Sequence, residues 1–239
     1  MLLHDKSMRN LRLALPGYNL SRNTSLTRTA LNFCAQAFLA GEDMMKIRTV
    51  CAAAFAPVAF FGFSAAALAH PGHESASFLS GFNHPLGGLD HLLAMLAVGL
   101  YAAQQAGRAR WGLPAGFVLA MLLGAALGAS GISLPAVEAG IAASVLVLGL
   151  LLAFAVRLPL AASLPLVALF ALFHGHAHHA EMGAASLLTY ATGFALATAL
   201  LHAAGFMLAR WMPENRAGFA AKRIAGACMA AIGGVLLGA

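Results

Sequence analysis

The chain has 239 residues, of which 61% are hydrophobic and only 9% charged. Soluble domains carry roughly 25% charged residues, so this composition excludes an ordinary soluble enzyme or binding module. The formal charge of +6 does not point to nucleic acid, because Lys6, Arg9, Arg12, Arg22 and Arg28 precede the first hydrophobic segment and the other basic residues sit at segment ends.

Residues 1–44 are polar and lack a sustained period, with Asn, Ser, Thr and Arg dominant from Asn19 to Thr29. They read as a disordered tail or as an extension upstream of the true start. The second fits better, because Met44 and Met45 directly precede a signal peptide spanning residues 45–69. That segment has a basic n-region (Lys46, Arg48), an apolar h-region from Val50 to Ala66 and a small-residue site at Ala67-Leu68-Ala69. Cleavage after Ala69 leaves His70 as the new N-terminus; the alternative is an uncleaved first helix. Cys34 and Cys51 fall in these leading parts, and Cys228 stands alone in a hydrophobic segment. There is no disulfide framework and no CxxC thiolate site.

Residues 70–239 form the transmembrane domain, predicted as an all-α, polytopic bundle of six helices. The apolar runs approach the ~20 residues that cross a hydrocarbon core. The spans are 86–104, 111–130, 134–156, 158–178, 184–208 and 224–238. Pro114, Pro135 and Pro159 are expected in first turns, where a missing N–H costs little; Pro165 is interior to span 4. After His70 the basic residues are Arg108, Arg110, Arg157, Arg210, Arg216, Lys222 and Arg223, all in loops 1–2, 3–4 and 5–6. Positive charge marks the cytoplasmic side, so the mature N-terminus lies outside, in the periplasm if the membrane is a bacterial inner membrane. A cleaved signal peptide delivers the same orientation. Trp111 and Trp211 beside the basic clusters read as interface anchors. Small residues recur every four positions in span 2 (Gly112, Gly116, Ala120, Gly124, Gly128) and span 6 (Gly226, Ala230, Gly234, Gly238). Such stripes let helix backbones approach closely.

Two stretches carry ionisable groups where they are costly, about 2.5–3.5 kcal/mol each for Asp, Lys or Arg at a helix centre. The first is FNHPLGGLDHLLAM, Phe82 to Met95. His84-Pro85 resembles a helix start, with Pro85 near the first helical position. If the helix runs on, His84 and His91 nearly share a face, with Met95 one turn beyond. Asp90 points about 100° away from His91, where it can ligate an ion or accept a hydrogen bond from a ligand histidine. Gly87 and Gly88 permit close backbone approach or a local break. The second stretch is FHGHAHHAE, Phe173 to Glu181. His174, His178 and Glu181 form one stripe on a continuous helix, a plausible divalent-metal half-site. His176 and His179 point elsewhere, as a capture relay or as solvated helix-end residues.

With this topology both stretches, and Glu138 of span 3, lie in the outer half of the bundle. No Lys or Arg is near in sequence to neutralise the carboxylates, so a cation is the natural partner; the alternative is a polar network holding helices together. His202 stands apart in span 5, as an exit-side ligand or, better, as a histidine satisfied by a carbonyl. Thr189, Thr192 and Thr198 are expected to bond to their own helix. His70 and His73 in the mature N-terminal HPGHE offer weak metal capture outside.

These motifs resemble the HupE/UreJ family of bacterial nickel (sometimes cobalt) permeases. The resemblance covers 70–239 and rests on HPGHE after the signal peptide, His84-Pro85-x-x-Gly88-x-Asp90-His91, and Phe173-His174-Gly175-His176-Ala177-His178-x-x-Glu181. It implies inward metal transport for hydrogenase, urease or cobalamin maturation, and metal-handling roles for His84, Asp90, His91, His174, His178 and Glu181. Glycine is expected after His178; here the residue is His179.

The expected function is therefore uptake of Ni2+ or Co2+ as transported substrate, with no permanently bound cofactor. Imidazole and carboxylate ligands alone do not choose among nickel, cobalt, zinc and copper(II). The chain contains no GxxxxGK[ST] motif, so no ATPase domain is assigned to it. The partners are the metal ion and the lipid bilayer, and a homo-oligomer is compatible with the sequence. An ion captured by His174, His178 and Glu181 would pass to His84, His91 and Asp90, and uptake would fall below an external pH of about 6.5, the ordinary imidazole value. The rivals are a membrane sensor or accessory protein that binds metal without flux, and an intramembrane zinc metalloenzyme, for which the HExxH motif is absent. Three spans on each side of Arg157 also permit an inverted repeat, although the halves share little sequence similarity.

Overall fold

The computed structural model describes residues 78–182 and 186–238. Residues 1–44, the signal-peptide segment, His70 and His73 lie outside the described residues. Among the described residues the regular elements are seven α-helices: α1 Phe78–Gly87, α2 Leu89–Gln104, α3 Ala109–Ala129, α4 Val137–Ala153, α5 Leu160–Glu181, α6 Leu187–Trp211 and α7 Arg216–Leu237. The protein is a multi-pass membrane protein. Four helices (α3, α5, α6 and α7) are long and apolar enough to cross a bilayer, and α1 with α2 makes a fifth span if counted as one broken crossing. Leu119, Leu123, Leu169, Leu188, Leu200 and Val235 face outward, fully half exposed or more, whereas His91, His174, His178 and His202 are buried. Apolar outside and polar inside is the distribution that lipid as solvent demands.

Three boundaries differ from the sequence-based expectation. Span 1 is not one helix. Gly88 adopts φ −99°, ψ 124° as the extended residue before α2, and the chain bends by 86° there. Pro85 does not start a helix; it lies inside α1, two residues before its end. A proline ring clashes with the carbonyl four residues back and lacks the N–H that would bond to it, so the last turns of α1 are weakened just before the break. Span 3 is shorter than 134–156: α4 has 17 residues, clipped by left-handed residues at Ala136 (φ 53°) and Ala155 (φ 52°). Span 6 begins earlier, at Arg216, because the Asn215 side chain caps α7 by accepting from Gly218 N at 3.0 Å. Pro114 sits in the second turn of α3, not the first.

Glycines set the helix contacts and their directions. Along α3, Gly112, Gly116, Gly124 and Gly128 lie against Leu160, Leu164, Leu172 and His179 of α5, in that order, so the two helices run parallel. Early in the broken span Gly81 lies against Tyr190, and later Gly99 lies against His202 and Phe206, so α1–α2 runs parallel to α6. Gly149 meets Ala230 and Gly226, while Gly233 meets Leu146, so α4 and α7 run antiparallel. The four-residue stripe of span 2 is thus a packing seam. That of span 6 is one only at Gly226 and Ala230; Gly234 faces open space and Gly233 takes the next contact.

Candidate metal centre

The 86° bend at Gly88 builds the site. On a continuous helix His84 and His91 would be separated by about 10 Å along the axis. The bend folds α2 back, and the two rings stand 5.9 Å apart between centroids. A Cβ on residue 88 would meet Asp90 Oδ1 at 2.7 Å and His91 Nδ1 at 3.2 Å, so this corner accepts only glycine without rearrangement. α5 supplies the third side. His178 lies 4.9 Å from His84 and 4.9 Å from His91, ring to ring. One ligand nitrogen from each of His84, His91 and His178 falls within 4.8 Å of the others. Three nitrogens spread around one ion at ~2.1 Å are about 3.6 Å apart, so the rings must draw together by about 1 Å to hold one cation.

Each ring is oriented by a neighbour. Asp90 Oδ1 accepts from the backbone N–H of His91 at 2.7 Å and pairs with its Nδ1 at 2.9 Å. With Nδ1–H donating to the carboxylate, the lone pair is on Nε2, which is buried without a partner. A carboxylate behind a histidine fixes tautomer and direction. Glu181 Oε2 does the same for His84 Nε2 at 2.5 Å, leaving Nδ1 for a ligand. The His178 ring is stacked on Phe194 at 4.5 Å with 10° between planes, and neither of its nitrogens has a partner. His174 lies one turn deeper, fully buried and 4.8 Å from His91. Ser144 Oγ gives its single proton to the Ile141 carbonyl at 2.6 Å, so it accepts from His174 Nε2 at 3.0 Å. His174 Nδ1 therefore carries a free lone pair, again buried and unpartnered.

The structure thus gathers His84, Asp90, His91, His174, His178 and Glu181, but not as two successive half-sites. His178 belongs with His84 and His91, while Asp90 and Glu181 stand behind the rings. Glu138 is exposed in the first turn of α4 and stands outside the group. His176 pins the α3–α4 loop, its Nε2 lying 3.0 Å from the Ile132 carbonyl and 3.3 Å from the Leu134 N–H. It is neither a relay member nor a purely solvated residue. The His179 ring lies against Gly128, where a Cβ would meet its Cδ2 at 2.6 Å; the missing side chain on α3 makes room for the imidazole that stands in place of glycine. Met95 is packed in the apolar core.

His202 bonds no carbonyl, contrary to the expectation of a satisfied histidine: both its nitrogens are buried without partners. Thr192 bonds the Thr189 carbonyl of its own helix at 2.8 Å, but Thr198 donates instead to Met121 Sδ at 3.6 Å. Ser144, Phe194, Phe117 and Tyr190 were missed as site residues. Only Ser144 carried a signal, as a lone hydroxyl in the apolar run of α4.

A family model described as "HupE / UreJ protein" matches residues 58–236. The chain is 45% identical to "Protein HupE" of Rhizobium leguminosarum bv. viciae over 170 residues, covering 71% of this chain and 88% of that protein. No solved structure matches the chain. With the two histidine motifs meeting in one buried group and the match running over nearly the whole helical bundle, the chain belongs to the HupE/UreJ family.

Proposed function

We propose that the protein takes up a divalent transition-metal ion, Ni2+ first and Co2+ as the alternative, from periplasm to cytoplasm across a bacterial inner membrane. The ion would serve metalloenzyme (hydrogenase or urease) or cobalamin maturation. One observation carries this reading. Imidazole nitrogens of His91, His174 and His178 are buried in an apolar bundle with no protein partner, beside a His84–Glu181 pair. A buried polar atom left without a bond costs about 1–3 kcal/mol. The nitrogens of His91 and His178, gathered with His84 so that one ligand atom of each lies within 4.8 Å of the others, are explained by a cation that accepts their lone pairs. Asp90 and Glu181 pair with imidazoles rather than with Lys or Arg, so the group attracts positive charge. The ion is cargo, and the reading assigns no catalytic step to the chain.

Six crossings are part of the proposal. Spans that alternate in direction require spans 2 and 4 to be parallel, spans 1 and 5 to be parallel, and spans 3 and 6 to be antiparallel. The glycine contacts follow that pattern, and it agrees with the basic residues clustering in loops 1–2, 3–4 and 5–6. The outer end of α5 and the α1–α2 corner then open to the periplasm, as a cleaved signal peptide also requires.

The test is radioactive nickel uptake into proteoliposomes containing the full protein, beside His91→Ala, with excess cobalt and zinc as competitors. Accumulation that is lost in the variant and blocked mainly by one competitor supports a permease and ranks its metals. Binding without accumulation would replace the reading with that of a sensor or accessory protein.

A further inference from the structure

The glycine crossings repeat. Gly175 of α5 lies against the Met121 carbonyl and the Ala125 nitrogen of α3, while Gly99 of α2 lies against the His202 carbonyl and the Phe206 nitrogen of α6. Gly124 of α3 lies against Leu172 of α5, while Gly205 of α6 lies against Leu96 of α2. Gly149 of α4 meets Gly226 and Ala230 of α7, and Gly226 meets Gly149 and Ala153 in return. One exchange accounts for all of these contacts: Gly99 with Gly175, Gly124 with Gly205, and Gly149 with Gly226. It swaps the first three spans with the last three and maps each glycine onto a glycine. It also maps Met121 onto His202 and Phe117 onto Thr198.

That exchange has a centre. Thr198 Oγ1 donates to Met121 Sδ at 3.6 Å, and its image is the edge-on contact of Phe117 with His202, ring centroids 5.1 Å apart. The four side chains lie close to the middle of α3 (Ala109–Ala129) and of α6 (Leu187–Trp211). In inverted repeats the substrate site lies near the bilayer midplane, at the interface of the repeats. His202 is 2% exposed, and neither of its nitrogens has a partner. The Phe117 ring also packs on His174, at 5.7 Å, and so separates His202 from the outer histidines.

We propose that His202, with the Met121 thioether that Thr198 contacts one turn before it, is a second, mid-membrane station for the transported cation, set at the centre of an inverted repeat and divided from the outer site by Phe117. The station rests on the transport reading above. The cation passes from the His84–His91–His178 group to His174 Nδ1, then past the Phe117 ring to His202. An imidazole and a thioether favour late first-row ions over magnesium or calcium, so the station filters as well as conducts. Past it, the positions equivalent to His174 and His178 are Val98 and Ala102, which offer an ion no side-chain ligand. His202 is thus the last imidazole on the route toward the basic end of α6.

The experiment compares full-length wild type, His202→Ala, His202→Gln, Met121→Leu and His91→Ala. Nickel binding is measured by isothermal titration calorimetry in detergent, and nickel uptake in proteoliposomes. Wild type should bind two equivalents of nickel, the second more weakly. His202→Ala should keep the first with affinity unchanged within about twofold, lose the second, and transport at least tenfold more slowly. Met121→Leu, which preserves volume, should slow uptake two- to fivefold. Wild-type uptake and two bound equivalents in His202→Ala would overturn the station. If His202→Ala loses both equivalents and elutes as aggregate, His202→Gln and Met121→Leu decide: slowed uptake with the first equivalent retained supports the station, and wild-type behaviour in both overturns it. Failure of the transport reading looks different, because the wild type itself then accumulates no nickel.

Discussion

Gly175 seats α5 on α3, and Gly99 seats α2 on α6, each by pressing a bare Cα against a carbonyl of the neighbouring helix. The residue before Gly175 is His174 and the one three beyond is His178; the corresponding residues around Gly99 are Val98 and Ala102. Both crossings are tight, yet the glycine of one is flanked by imidazoles on its own helix and that of the other by hydrocarbon, with His202 across from it on α6. Backbone approach is a scaffold property that both halves share. The outer chemistry is added by side chains within one turn of the Gly175 crossing, together with His84 and His91 brought to it from the first half. A symmetric frame with asymmetric lining gives a molecule a direction.

The largest effect should come from removing the imidazole of the first half that faces His174 and His178. His91→Ala deletes the ring that touches both His84 and His178, as well as His174. Nickel affinity is expected to fall at least 100-fold by calorimetry, while Val98→Ala at the Gly99 crossing leaves it unchanged; equal losses in the two would erase the distinction. Next is Asp90→Asn, which keeps the shape but removes the charge behind His91. Substitutions behind a metal-binding histidine cost 10–100-fold in affinity, and a loss in that range is expected. An unaltered affinity would mean that the Asp90–His91 pair does not orient the ligand.

The two glycines can then be compared directly. Gly175→Ala and Gly99→Ala each force a Cβ into a backbone carbonyl, an overpacking of about 1–3 kcal/mol. Both variants should melt earlier, but Gly175→Ala should also lose the first nickel equivalent, whereas Gly99→Ala, whose Cβ meets the His202 carbonyl, should keep the first and lose the second along with uptake. Identical binding in the two variants would contradict the assignment of the outer site to the Gly175 crossing. Acidification sharpens the same contrast, because protons compete for imidazole lone pairs. Binding should weaken on acidification, and titrations from pH 7.5 downward check it. The smallest effect belongs to Gly234→Ala. Nothing lies within 4 Å of a Cβ there, and stability should shift by no more than about 0.5 kcal/mol.

Both motifs stand out in the sequence because ionisable side chains rarely interrupt an apolar run without use. The role of Asp90 was also legible, since its position beside His91 leaves it free to hold the ring. The stripe Gly112–Gly128 was legible as a seam, but its partner helix was not. The corner at Gly88 was only half legible: two glycines permit a break, but Pro85 inside α1 was mistaken for a helix start. Glu138 was grouped by depth alone, and depth does not fix the azimuth of a side chain on its helix. Ser144 and Phe117 reach the histidines only through helix packing that no local pattern encodes.

The sequence by itself determined that this is a helical membrane protein and which ionisable side chains interrupt its apolar runs. Composition and periodicity report the solvent of each residue, and lipid leaves few structural choices. Only the tertiary structure decided which lone pairs converge, that His202 stands unbonded across Phe117 from the outer group, and that the two halves cross in matching ways. Distances between helices depend on where their backbones touch, and a glycine contact becomes one only when its partner carbonyl, dozens of residues away, arrives.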